Sequence, residues 1–194
     1  MKRHSPSAGT SPATKPRKPL TSEAEQIAWL KRAAVYYLSQ RSSSVENLRQ
    51  VLLRKAPSRI PDADPAAIAR LVERAVAHCL EYGYVDDLAY AEGKAASGLR
   101  RGLSRRRLSQ VLASKGIEDR MISQVSEELD DAHAAVIYAK RRRIGPWRIK
   151  PVENAFMKDV GAFARAGFSS DLAIRLCRMS LEEAERLLYG EAED

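Results

Sequence analysis

The sequence predicts an all-α protein, an elongated and curved array of three tandem three-helix repeats. Three observations predict it. Apolar residues recur at three- and four-residue intervals from residue 22 onward, in stretches that mostly open on Ser or Asp and close on Gly. No stretch shows the sustained two-residue alternation of a half-buried strand. A pattern of one serine and two leucines at fixed spacing occurs twice, and its end occurs a third time.

The elements follow in order. Ser22 with Glu25 has capping-box spacing and leads a helix burying Ile27, Leu30, Ala34, Tyr37 and Leu38. Ser43 with Glu46 reads as a second box, ahead of Leu48, Val51 and Leu52; Pro57 and Pro61 end that helix in a loop. Asp64-Pro65 restarts the chain, with Asp as the cap and Pro at the first helical position, where its missing N–H costs nothing. Ile68, Leu71, Val72, Ala75, Val76 and Cys79 form the buried stripe up to Gly83. Asp86 or Asp87 caps the next helix, which carries Leu88, Ala91, Ala95 and Leu99. Ser104 caps a helix with Leu108, Val111 and Leu112, ended by Gly116. Glu118 and Asp119 place negative charge at the positive end of a helix with Met121, Ile122, Val125 and Leu129. A further helix runs from Asp131 to about Arg142, where Gly145-Pro146 breaks it. Val152, Phe156, Val160 and Phe163 read as one helix closed by Gly167. Ser169 or Ser170 caps a short helix through Leu172, Ile174 and Cys177, and Ser180 with Glu183 opens the last one.

The repeats set the expected organisation. Ser44, Leu48, Leu52 and Lys55 are spaced as are Ser104, Leu108, Leu112 and Lys115, and Phe163 to Phe168 matches Leu112 to Ile117. These copies are expected as the middle helices of units at 22–83, 84–129 and 130–179. Residues 1–21, with four prolines, five basic residues and no acid before Thr21, are expected to be a disordered basic arm. Residues 180–194 are expected as a short helix and an acidic tail. Units this small bury too little apolar surface alone, so each should stack on its neighbours.

Composition narrows the function. The net charge is +8, which favours a polyanion or an acidic protein surface. Cys79 and Cys177 lie in apolar patterns without CxxC or histidine company, so buried free thiols are expected. There is no signal-peptide pattern, no membrane-length apolar run, no phosphate-cradling glycine loop, no metal spacing and no nucleophile–base pair. A cytoplasmic monomer without cofactor, enzymatic activity or membrane attachment is expected.

Ordered motifs carry a family resemblance. Gly83-Tyr-Val-Asp86-Asp87-Leu-Ala-Tyr90-Ala91, Leu38-Ser-Gln-Arg41, Leu112-Ala-Ser-Lys-Gly116-Ile117 and Arg165-Ala-Gly167-Phe168 together resemble the RecX family from about Ala28 to Arg178. The resemblance implies three three-helix repeats lying in the groove of a RecA–DNA filament. It also implies inhibition of filament extension, strand exchange and co-protease activity. The chain departs from the pattern in its N-terminal arm, in the Pro57–Pro61 loop, and at Asp159, where an apolar residue is expected.

Two basic clusters are the candidate filament-binding residues: Arg100, Arg101, Arg105, Arg106, Arg107 and Lys115, then Lys140, Arg141, Arg142, Arg143, Arg148 and Lys150. Glu127, Glu128, Asp130 and Asp131 lie between them. Arginine suits bidentate phosphate or carboxylate contacts; the alternative is that these residues merely complement helix dipoles. Weak non-specific DNA contact belongs to the same expectation. The other functional class is a stand-alone helix-turn-helix-like DNA reader built around Ser104 to Leu112. Asp86 and Asp87 read as caps rather than catalytic acids. Trp147 reads as core packing, and Tyr36, Tyr37, Tyr82, Tyr84 and Tyr90 as packing residues with their hydroxyls at the surface.

Overall fold

A computed structural model describes residues 19–190. The expected basic arm lies largely outside the described residues, as do residues 191–194 of the acidic tail. Among the described residues the regular structure is helical throughout, with ten α-helices and two 3-10 turns. In order they are α1 (Glu23–Gln40), α2 (Val45–Lys55), α3 (Pro65–Glu81), α4 (Asp87–Leu99), α5 (Arg105–Ala113), α6 (Asp119–Glu127), α7 (Asp131–Arg142), α8 (Ala155–Arg165), α9 (Ser170–Arg178) and α10 (Leu181–Tyr189). The 3-10 turns cover Ala56–Ser58 and Gly145–Trp147.

Helices α1–α3, α4–α6 and α7–α9 form three tandem three-helix repeats, and α10 packs back on α7. The apolar side chains condense into two cores. Leu30, Leu48, Leu52, Val72, Val76 and Cys79 fill the first repeat. Leu108, Leu112, Val136, Phe163 and Leu176 belong to one continuous core shared by the second and third. Each fully buried leucine of this kind contributes about 2–3 kcal/mol from area removed from water. Tyr138, Phe163 and Phe168 pack ring against ring at 5.6–5.8 Å, which ties α7 to α8.

The caps show where the sequence pattern reads correctly and where it slips. Ser22–Glu25 and Ser180–Glu183 form complete capping boxes. At α2 the N-cap is Ser44 rather than Ser43, and Glu46 turns outward to Arg49 instead of closing a box. Helix α8 starts at Ala155, so Val152 lies outside it and is exposed, and Phe156 sits on the surface under the Arg178 guanidinium. Leu20, expected in the arm, is held: its N–H donates to the Arg59 carbonyl at 2.9 Å. Trp147 packs against the shared core, as expected. Tyr36, Tyr82 and Tyr84 are instead 67%, 60% and 48% exposed: α1 turns Tyr36 to solvent, and Tyr82 and Tyr84 follow the end of α3, where their rings stack on each other at 6.2 Å. Asp159, on the apolar face of α8, is 4% exposed. It accepts from the Gly145 N–H at 2.8 Å and pairs with Arg148, so it holds the 143–148 turn rather than filling core.

The same joint connects repeat one to two and repeat two to three. Ser44 Oγ accepts the Asn47 N–H that caps α2, and it donates to the Lys115 carbonyl at 2.7 Å. Ser104 Oγ accepts the Arg107 N–H that caps α5, and it donates to the Ala166 carbonyl at 2.7 Å. The next backbone N–H then meets a carboxylate of the following repeat. Val45 donates to Asp87 at 2.8 Å and Arg105 donates to Asp131 at 2.7 Å. Gly116 and Gly167, one residue past each accepting carbonyl, have φ of +72° and +92°, and both pack against the preceding repeat. A Cβ on Gly116 would fall 2.5 Å from Glu46 Cβ, and one on Gly167 would fall 2.7 Å from Ser104 Oγ. The serine–leucine spacing seen in the sequence is thus the inner half of an inter-repeat joint.

Candidate functional site

Helix α5 opens with Arg105, Arg106 and Arg107 and has no acid in its first turn. The Asp131 carboxylate accepts the Arg105 N–H and the Ser104 hydroxyl accepts the Arg107 N–H, but the macrodipole is positive there, so each arginine costs about 0.3–1 kcal/mol relative to an acid at low ionic strength. Dipole complementation therefore does not explain this cluster. It does suit Lys140, Arg141 and Arg142, which occupy the last turn of α7.

The fold brings the two clusters together. The α4–α5 turn is pressed onto α7: Gly102 has φ +71°, and a Cβ there would meet the Tyr138 backbone N at 2.5 Å and the Ala134 carbonyl at 2.8 Å. That approach sets Arg101 and Arg107 of the second repeat beside Arg141 and Arg142 of the third. Together with Arg165 they line an open groove of about 740 Å³. Leu103, Ile144 and Ala162 supply apolar wall, and Tyr138 stands among them with its ring 5.8 Å from the Arg142 guanidinium carbon. The Tyr138 hydroxyl donates to the Ala162 carbonyl at 3.3 Å, which fixes the ring. Arg101 Nε donates to the Ser97 carbonyl and Arg107 to Gln110 Oε1. Among the described residues, none of the five arginines forms an ion pair; the pairs found are Arg49 with Glu46 and Glu73, Arg74 with Glu23, and Arg148 with Asp159.

The other sequence candidates have different places. Arg105 turns its Nε onto the Leu129 carbonyl, within its own repeat. Arg106 is exposed next to the Gly167 contact. Arg100 is exposed at the end of α4. Lys115 donates to Asn47 Oδ1 at 3.3 Å across the first joint. Lys140 lies 4.8 Å from the centre of the Tyr189 ring and donates to its hydroxyl. Arg143, in left-handed conformation at φ 55°, lines a smaller recess with Lys140, Trp147 and Ile149. Arg148 is committed to Asp159, and Lys150 is exposed beyond that recess. Arg165 is absent from the sequence candidates although a signal existed: it lies two residues before Gly167, in the helix end that the repeat places against the preceding unit.

Other reactive groups are tied to structure. Burial, and next the Asp159 charge, push the Cys177 thiol up to about 11, which leaves it protonated at neutral pH. Asp86 caps α4 through the N–H groups of Leu88 and Ala89, while Asp87 reaches the first repeat. Burial raises the Asp87 carboxyl above its ordinary range, and the Val45 N–H opposes that shift. No group of three metal-ligating side chains occurs among the described residues, and no described helix is long and apolar enough to cross a membrane.

Comparison with known proteins gives consistent matches. A family model described as RecX, second three-helix domain, matches residues 86–125, the stretch of α4 to α6. The chain is 38% identical over 163 residues to the regulatory protein RecX of Agrobacterium fabrum, covering 84% of this chain and 89% of that one. It is 33% identical over 153 residues to the regulatory protein RecX of Myxococcus xanthus, covering 75% and 82%. A crystal structure of a regulatory protein RecX superposes with a TM-score of 0.61 over 79% of this chain and 73% of that one; at 20% identity this likeness concerns the fold.

Proposed function

The chain belongs to the RecX family, and from that premise we propose that it is a negative regulator of the RecA recombinase. It binds along a RecA–DNA filament and restrains extension, strand exchange and co-protease activity. The observation that carries this is the groove between the second and third repeats, where five guanidiniums without an ion-pair partner among the described residues converge from α5, α7, α8 and the α4–α5 turn. A filament of protein and nucleic acid offers phosphates and carboxylates along an extended path, which suits a repeat array with a recessed cationic seam.

The helix-turn-helix alternative meets a geometric obstacle. A recognition helix reads base edges with its N-terminal residues. In this protein the cap of α5, Ser104, is bonded to the Ala166 carbonyl of the third repeat, and Arg105 is bonded to the Leu129 carbonyl, while Arg106 and Arg107 stay exposed. The third repeat therefore stands beside the end of α5 that would have to enter a major groove.

Inhibition of the cognate recombinase's DNA-dependent ATPase tests the proposal. Stoichiometric chain should suppress the ATPase, and Arg107→Glu with Arg142→Glu should raise the half-inhibitory concentration at least about tenfold, the equivalent of 1.4 kcal/mol, with helicity unchanged. Full ATPase activity in the presence of wild-type chain would sink the regulatory proposal. An unaltered inhibition curve for the double variant would remove the groove from it.

A further inference from the structure

We propose that the turn between α3 and α4 is a docking surface for an arginine-bearing segment of a partner protein. The surface consists of His78, Tyr82 and Tyr84, with Glu81 and Asp86 beside them. It shares no residue with the arginine groove and does not depend on the regulatory reading.

The three rings form a platform that faces solvent. The His78 and Tyr82 ring centres are 4.5 Å apart, and the Tyr82 and Tyr84 planes lie within 15° of each other. Both tyrosines are exposed, as is Leu80 just before them. Large aromatic side chains left clustered at the surface are the usual anchors of a protein contact.

The backbone holds this platform in place without packing it. The Tyr84 N–H donates to the Cys79 carbonyl at 2.8 Å and the Gly83 N–H to the Leu80 carbonyl at 3.1 Å, with Gly83 at φ +66°. A Cβ on Gly83 would meet nothing within 4 Å, so the turn stands clear of the rest of the fold. A fixed backbone carrying free rings lowers the ordering cost of binding.

The charge around the rings selects the partner. Residues 75–93 hold four acids and no Lys or Arg, in a chain of net charge +8. Glu81 and Asp86 are exposed there. Among the described residues, six other rings carry a cation from the chain itself, as Tyr138 does from Arg142 and Tyr90 from Lys94, whereas Tyr82 and Tyr84 carry none. Ring faces and carboxylates both attract a cation. A guanidinium can lie flat on a ring while its edge bonds a carboxylate, so arginine fits this surface better than lysine. The same acids repel phosphates, and two copies meeting here would set Glu81 and Asp86 against their own likenesses.

Fluorescence anisotropy of labelled hexa-arginine with the full chain tests the surface. Tyr82→Ala with Tyr84→Ala should weaken binding about tenfold. Both rings are exposed, so thermal unfolding of this pair should stay near that of wild type. Tyr82→Phe with Tyr84→Phe keeps the ring faces and should bind as wild type does. Glu81→Gln should cost about threefold. Tyr36→Ala, at an exposed ring with no aromatic neighbour among the described residues, should change nothing. Hexa-lysine should bind more weakly than hexa-arginine. Absence of hexa-arginine binding, an unchanged affinity in the alanine pair, or equal binding of hexa-lysine would overturn the proposal. So would tighter binding after Lys15→Gln with Arg17→Gln, which would assign the surface to the chain's own basic N-terminal segment. Self-association in sedimentation velocity that the alanine pair abolishes would overturn it too, in favour of a second copy.

Discussion

The two inter-repeat joints share one hydrogen-bond scheme and differ in the charge mounted on it. At the first joint the three residues after the capping serine are Val45, Glu46 and Asn47; at the second they are Arg105, Arg106 and Arg107. Glu46 sits where the helix dipole favours an acid, and it is paired with Arg49, which also reaches Glu73. Hydrogen bonds from Gln50 and Arg49 hold its carboxyl below the ordinary range. The first joint is thus balanced internally. The second places three cations against the dipole and aims one of them, Arg107, into a groove with four more. The backbone scheme builds the array, while side chains at equivalent positions set the charge that each joint carries.

The largest expected effect sets Gly102, in the turn pressed onto α7, against Gly116, the glycine of the first joint. Gly102→Ala drives a Cβ into the Tyr138 and Ala134 backbone of α7 at a left-handed φ. Neither backbone can yield without moving the helix, so urea unfolding should show a loss of about 3 kcal/mol. Gly116→Ala meets only the Glu46 side chain, whose outer atoms can swing away, and should cost about 1–2 kcal/mol, chiefly for the left-handed φ. Equal losses would mean that the Gly102 contact is as pliable as the one at Gly116. A smaller effect probes the arginines: Arg106→Glu gives α5 the acid that α2 has. Its thermal unfolding should report a gain of about 0.5 kcal/mol at low ionic strength, fading with added salt. Destabilisation would show that Arg106 serves packing instead.

The smallest effect is a pH dependence at the first joint. Burial raises the Asp87 carboxyl above its ordinary value, so the folded chain holds that proton more tightly than the unfolded chain. Its contribution is therefore fully present below the ordinary carboxylate pKa and is lost as pH rises through the raised one. Asp87→Asn keeps an oxygen for the Val45 N–H and removes the charge. Relative to wild type, the variant should gain stability between about pH 3 and pH 7, read from unfolding midpoints across that range. A constant difference would show that the charge itself is immaterial at this joint.

Sequence alone determined the helical class, most caps and the repeat, because these are local: a serine or aspartate caps the turn it precedes, and a 3.6-residue period needs only neighbours along the chain. Capping chemistry was harder to place where serines adjoin, so Ser43 and Ser44 were exchanged. The exposed Tyr36 and Tyr82 also depart from the periodicity, since composition does not say how much of a helix its neighbours will cover. Asp159 could not be read at all, because its partners, Gly145 and Arg148, come from a turn more than ten residues away. The arginine groove belongs to the same class. The sequence displays two basic clusters separated by acids, and their meeting depends on Gly102 letting one repeat approach the α7 backbone of the next. It also depends on Arg165 arriving from a third segment. Charge content and periodicity are properties of the chain, whereas the convergence of charge is a property of how repeats pack, and only the tertiary structure decided it.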